Sequence, residues 1–134
     1  MEARVRLGHI LGASGNHREA VEELHKALAG SPPPVLQYYA SLLLGREESA
    51  LGHAALAREA YAHASELFPD AQSPRLGLSQ VARDAGDRAG AVEALGDLKP
   101  RATGSDDPWW NYNRTHLPGA QELLSRLRSA KAGP

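Results

Sequence analysis

Six histidines are the side chains in this sequence that could most readily hold a metal ion. Glu22 and His25 are three positions apart, the spacing that places a carboxylate and an imidazole on one helical face in di-iron sites. Such a site needs a second pair in the same order and two further carboxylates, whereas His63 and Glu66 run in the reverse order. We therefore expect no metal site, and we expect the histidines to lie on solvated helix faces and in turns.

Motifs of covalent and phosphate chemistry are also missing from the sequence. It contains no His-Glu-x2-His, no Gly-rich phosphate loop and no Gly-x-Ser-x-Gly. It contains no cysteine, which excludes disulfides and Cys-ligated zinc or iron–sulfur centres from these residues. We expect a non-catalytic protein that needs no cofactor.

The charges of the chain argue against two classes of partner. Fifteen basic and 16 acidic residues give a net charge of -1, which disfavours electrostatic binding of nucleic acid. No apolar run approaches the ~20 residues of a membrane span, so we expect no membrane partner. Short charge runs such as Arg46-Glu47-Glu48 are expected to be solvated. The expected partner is a protein or a peptide.

Composition predicts an all-α fold. The chain has 134 residues, which fits one domain of ordinary size. Alanine (23) and leucine (19) supply nearly a third of them, whereas Val, Ile and Thr together supply eight. Helices favour Ala and Leu, and strands favour β-branched residues.

Three glycines mark the turns of three helix pairs. Gly15, Gly52 and Gly86 each stand five positions before an alanine, and they are 37 and 34 residues apart. A glycine at the end of a helix adopts the left-handed conformation at little cost, and Asn16 or Asp87 can then cap the next helix. With prolines closing each pair, the pattern predicts helices over 2–14, 17–29, 35–51, 54–67, 74–85 and 88–98.

The residues after 98 break this pattern. Turn-forming residues fill 99–108, and an aromatic cluster of Trp109, Trp110 and Tyr112 follows. An apolar stripe of Leu123, Leu124 and Leu127 predicts a last helix. We expect the indoles and this helix to cap the third pair, and the alternative is that the aromatic cluster anchors a partner.

The repeated segments resemble the tetratricopeptide repeat (TPR) family. The matching positions share one spacing of small and large residues. The first copy has Arg4, Leu7, Gly8, Leu11, Ala20, Leu24, Ala27 and Pro32. The second copy has Ser41, Leu44, Gly45, Glu48, Ala57, Tyr61, Ala64 and Pro69. The third copy has Arg75, Leu78, Ser79, Ala82, Ala91, Leu95 and Leu98. None of the copies has the family's Trp at its first position.

The resemblance implies a right-handed solenoid of three antiparallel helix pairs plus a C-terminal capping helix. The repeats would occupy 1–34, 35–71 and 72–105, and an aromatic loop with the capping helix would occupy 106–134. Small residues at Gly8, Gly45 and Ser79 would let paired helices approach closely. We interpret the chain as a bacterial-type TPR protein.

The family binds peptides along the first helices of successive repeats, so the resemblance implies a non-catalytic scaffold with a concave groove. The groove candidates are His9, Tyr39, Leu42, Arg46, Leu76, Gln80 and Arg83. The alternative function is a structural or self-association module that closes a longer repeat array. The chain is expected to be a monomer or a weak homodimer. The compartment would be the cytoplasm, or the periplasm if a signal precedes residue 1.

Overall fold

The computed structural model of the chain describes residues 2–96 and 107–109. Six α-helices account for most of this part: α1 (Glu2–Ala13), α2 (His17–Ala29), α3 (Pro34–Ala50), α4 (Ala54–Leu67), α5 (Gln72–Asp84) and α6 (Arg88–Leu95). No strand occurs among these residues, so the all-α prediction is confirmed. The first and last residues of each predicted helix lie within three positions of the observed ends. The predicted capping helix falls outside the described residues.

The turns inside the three pairs form as their glycines predict. Gly15, Gly52 and Gly86 have φ values of 85°, 80° and 79°, the left-handed region that side chains with a Cβ avoid. Asp87 caps α6, because its Oδ1 accepts the Gly90 N–H at 2.9 Å. Asn16 stands at the N-cap of α2 but makes no side-chain bond there, so that part of the capping prediction is wrong.

Each helix packs against the next one along the chain, and α1 and α5 also contact α3. Helix α3 therefore has neighbours on several sides. All eight residues from Tyr38 to Gly45 are buried, which an amphipathic helix on the surface would not show. The core of the molecule lies around this helix and includes Leu24 of α2 and Tyr61 of α4.

Glycines inside the helices make room for large side chains, as predicted for Gly8 and Gly45. A Cβ on Gly8 would lie 2.7 Å from Leu24 Cγ, and one on Gly45 would lie 2.8 Å from the Tyr61 ring. A Cβ on Gly77 of α5, which the sequence did not single out, would lie 2.5 Å from the same ring. The Tyr61 ring thus lies close to the backbones of both α3 and α5.

The expectation that Glu47 and Glu48 are solvated is wrong. Both side chains are buried, because the last turns of α3 lie against α1 and α2. His17 Nδ1 lies 2.5 Å from Glu47 Oε2, and His53 Nδ1 lies 2.6 Å from Glu48 Oε2. His17 begins α2 and His53 precedes α4, so these histidines, which we expected to be solvated, join α3 to its neighbours.

Ser41 of α3 is a buried polar group that weakens the core. Its Oγ has no hydrogen-bond partner and the residue is 1% exposed. A buried hydroxyl without a partner keeps its desolvation cost. We expect Ser41→Ala to raise the free energy of unfolding by about 1 kcal/mol. Urea denaturation measures this change, and Ser79→Ala is the matched control. The Ser79 hydroxyl donates to Ala91 O at 2.9 Å, so its removal should lower stability instead.

Candidate functional site

The most elaborate polar site in the described part of the chain surrounds the Asp107 carboxylate, which is fully buried. The Tyr38 hydroxyl of α3 donates to Oδ1 at 2.5 Å. The N–H and the hydroxyl of Ser73 donate to Oδ2 at 2.9 and 2.5 Å. Ser73 is the second residue of α5, where backbone N–H groups have no partner inside the helix and favour a negative charge. Two helices thus bind one carboxylate.

The two residues after Asp107 continue across the helices toward α1. The Tyr39 hydroxyl donates to the Pro108 carbonyl at 3.0 Å, and the Trp109 N–H donates to Asp107 Oδ1 at 3.0 Å. The Trp109 ring centroid lies 6.5 Å from that of Tyr39 and 6.1 Å from that of His9. Residues 107–109 therefore contact the first helix of every pair, α5, α3 and α1.

A cavity of about 240 Å³ adjoins Trp109. Its walls come from α3, α4 and α5 together with the indole: Leu42, Leu43, Arg46, Tyr61, Ser73, Gly77 and Trp109. The Arg46 side chain is 46% exposed, and its Nε donates to Glu47 Oε1 at 3.1 Å. We call the surface formed by His9, Tyr39, Leu42, Arg46, Ser73 and Gly77 the first-helix groove.

Burial shifts the pKa values of two tyrosines and one histidine in and beside the groove further toward the neutral form. Burial, followed by the hydrogen bond to Asp107, raises the pKa of Tyr38 far above its ordinary value of 10.0. Burial and the Asp107 charge also raise the pKa of Tyr39. Burial lowers the pKa of His9 from 6.5, and the Arg46 charge adds to this while Glu47 opposes it. The groove therefore offers neutral hydroxyl and N–H donors together with one exposed cation, Arg46.

The structure brings four of the seven predicted groove residues together. His9, Tyr39, Leu42 and Arg46 surround Trp109 or line the adjoining cavity. The other three lie farther along α5: Leu76 is exposed, Gln80 donates to Asp84 at 2.8 Å, and Arg83 lines a separate cavity with Arg88 and Val92.

Trp109 lies beside more than the third helix pair, over which the capping prediction placed it. It lines a cavity with Ser73 and Gly77 of α5, and its ring neighbours include His9 of α1 and Tyr39 of α3. The rest of the predicted cap, including Trp110 and Leu123, falls outside the described residues.

Sequence reasoning missed the residues that bind the carboxylate: Tyr38, Ser73 and Asp107. A signal for them exists in the unusual Tyr38-Tyr39 pair of the second copy and in the acidic residue directly before Pro108. Nothing in the sequence connects these signals, because 69 residues separate Tyr38 from Asp107.

Residues 2–96 and 107–109 contain no group of three or more His, Asp or Glu side chains placed to hold a metal ion. None of the helices in this part is long and apolar enough to cross a membrane.

Comparisons with known proteins give no relative. A scan against protein-family models, a search of curated proteins and a search of solved structures each find no match for this chain. The function has to be inferred from the chain's own residues.

Proposed function

We propose that this chain is a non-catalytic scaffold that binds a peptide or protein segment in the first-helix groove. We further propose that its helices form a right-handed TPR-like solenoid whose concave face is this groove. Support for the arrangement comes from three helix pairs with glycine turns and from the contacts of α3 with both α1 and α5. These contacts bring the first helices of successive pairs to one surface.

The observation that supports the binding role most directly is the seating of Asp107, Pro108 and Trp109 across three helices. Their side chains and backbone are both recognised: Ser73 and Tyr38 bind the carboxylate, and Tyr39 binds the Pro108 carbonyl. Pro108 and Trp109 have a helical backbone, so the groove holds a short helical segment through both backbone and side-chain contacts. A partner segment of similar extent is the ligand class that such a surface suits.

Arg46 is the groove residue best suited to a test of this proposal. It is exposed and stands beside the aromatic and apolar walls of the cavity, so it would contact a bound segment. We expect peptides selected on the full chain from a phage-displayed random library to lose about tenfold in affinity, or about 1.4 kcal/mol, with Arg46→Ala. Isothermal titration calorimetry gives the dissociation constants.

Arg18→Ala is the matched control, because Arg18 is an exposed arginine on α2, away from the groove. It should leave the affinity unchanged. Arg83→Ala then reports whether the bound peptide extends along α5. Selected peptides that bind the Arg46 and Arg18 variants equally well would contradict the groove assignment. Circular dichroism confirms that each variant keeps its helices.

Self-association is the second candidate, and exposed apolar residues near both ends of the helix series favour it. Ile10 of α1 is 63% exposed and Val92 of α6 is 71% exposed. Large apolar side chains on a surface often mark an interface. If the chain self-associates, its molar mass measured by light scattering should rise with concentration. Ile10→Glu should abolish this rise.

A further inference from the structure

The donors that hold Asp107 belong to the helices and form a receptor for a carboxylate. Tyr38 is fully buried in α3, and Ser73 belongs to the first turn of α5. Their three bonds to Asp107 all run from N–H or O–H donors to the carboxylate oxygens. A carboxylate accepts such bonds with both oxygens, whereas an ammonium or guanidinium has no acceptor to offer. The receptor therefore selects an acidic side chain.

Further contacts determine which residues can follow the acidic residue in a bound segment. The Tyr39 hydroxyl binds the carbonyl of the next residue, which any sequence supplies. The residue after that places its ring between Tyr39 and His9, beside the Leu42 wall of the cavity. These contacts together fit a segment that has an acidic residue, then any residue, and then an aromatic residue.

We propose that the partner of the first-helix groove is a segment with this acidic–x–aromatic chemistry, and that Asp107–Trp109 is an intramolecular competitor for the same place. This inference rests on the proposed function and adds the chemistry of its ligand. The cavity beside Trp109 gives a partner a contact that the internal segment leaves unused, since a second acidic group placed there would meet Arg46.

Competition between the internal segment and an external peptide determines how much the peptide's affinity should change. A ligand segment within the same chain competes at an effective concentration that an external peptide must overcome. The apparent affinity for an external ligand falls by the fraction of molecules whose groove is open. Removing the internal acid should therefore strengthen the binding of an external segment by at least about tenfold.

The test uses a fluorescein-labelled peptide with the chain's own sequence over 104–112 and the full-length chain as receptor. Fluorescence anisotropy should show at least about tenfold tighter binding to the Asp107→Ala chain than to the unchanged chain. A peptide in which Asn replaces the residue corresponding to Asp107 keeps the shape and loses the charge, so it should bind the Asp107→Ala chain at least about tenfold more weakly. Ser73→Ala added to the Asp107→Ala chain should weaken the binding of the acidic peptide and leave the binding of the Asn peptide little changed.

Equal binding of the acidic and Asn peptides, or equal binding to the opened and unchanged chains, would overturn the inference. Should Asp107→Ala fail to fold by circular dichroism, Trp109→Ala opens the aromatic half of the groove and must show the same gain in affinity. Library peptides that depend on Arg46 but lack an acidic–x–aromatic sequence would leave the proposed function standing and refute this inference. No peptide binding at any variant would refute both.

Discussion

Replacing Gly77 by alanine is expected to lower the free energy of unfolding by about 2 kcal/mol, although alanine favours a helix by about 1 kcal/mol over glycine. The new Cβ would lie 2.5 Å from Cε1 of the buried Tyr61 ring. The ring cannot retreat toward α3, because a Cβ at Gly45 would stand only 2.8 Å from the same ring. Overpacking of this kind forces shifts of the backbone or off-rotamer side chains. Urea denaturation followed by circular dichroism measures the loss.

Two variants separate this clash from a general effect of losing a glycine. Gly96, just after α6, also has helical φ and ψ, and a Cβ there would come no closer than 3.4 Å to any neighbour in the described part of the chain. Gly96→Ala should therefore be neutral or slightly stabilising. In a chain that carries Tyr61→Leu, Gly77→Ala should cost little, because the smaller side chain can yield. A full loss in that background would show that the ring is not the cause.

Tyr38→Phe is expected to lower the free energy of unfolding by about 2 kcal/mol at pH 7, since hydrogen bonds to charged groups contribute about 1.5–3 kcal/mol. The phenylalanine ring keeps the packing against Phe68, whose ring centroid lies 5.0 Å from that of Tyr38. In this variant Asp107 still accepts hydrogen bonds from Ser73 and from the Trp109 N–H. Tyr112→Phe, which changes a tyrosine outside the described residues, controls for the loss of a phenol.

The size of this effect should depend on pH in the alkaline range. The folded protein holds the Tyr38 proton more tightly than the unfolded chain, whose tyrosines titrate near pH 10. The hydroxyl therefore stabilises the fold fully below about pH 10 and progressively less as the pH rises beyond it. Burial also raises the pKa of Tyr61 to about 12, so both proteins lose stability above pH 10. The unchanged chain should lose about 1.4 kcal/mol more per pH unit than Tyr38→Phe. Parallel curves would contradict the link between Tyr38 and Asp107.

The helices could be predicted because their signals are local. Gly15, Gly52 and Gly86 end helices through their own backbone conformation, and the prolines between pairs remove donors that a helix needs. These effects act within one or two turns and need no knowledge of the fold. The same local reasoning failed for Asn16, whose side chain makes no capping bond although its position is right.

The environment of α3 could not be predicted in this way. Arg46, Glu47 and Glu48 form a charge run that is typical of a solvated face. Yet Glu47 packs against Gly12 of α1, where a Cβ would come within 2.2 Å of its carboxylate. The close approach of two helices, and the imidazoles that pair with the glutamates, decide the burial. Such tertiary contacts leave no periodic trace in the sequence.

Helical spacing places Tyr39, Leu42 and Arg46 on one face of α3, so their proximity follows from the sequence, while their role in a binding groove stays a prediction. Trp109 joins them through a contact across most of the chain, and its position could not follow from spacing. Of the aromatic cluster, Trp109 packs on the helices as expected, but the sequence did not indicate its contacts with α1 and α3.

The bond between Tyr38 and Asp107 also determines how the chain can open. The helices contact mainly their neighbours along the sequence, whereas this bond closes a loop of 69 residues. Closure entropy grows with the logarithm of loop length, so this bond carries a larger entropic cost than a contact between consecutive helices. Native proteins open locally at free energies that range up to that of global unfolding. The competition proposed above requires that Asp107 is released by such a local opening, with the helix pairs still folded.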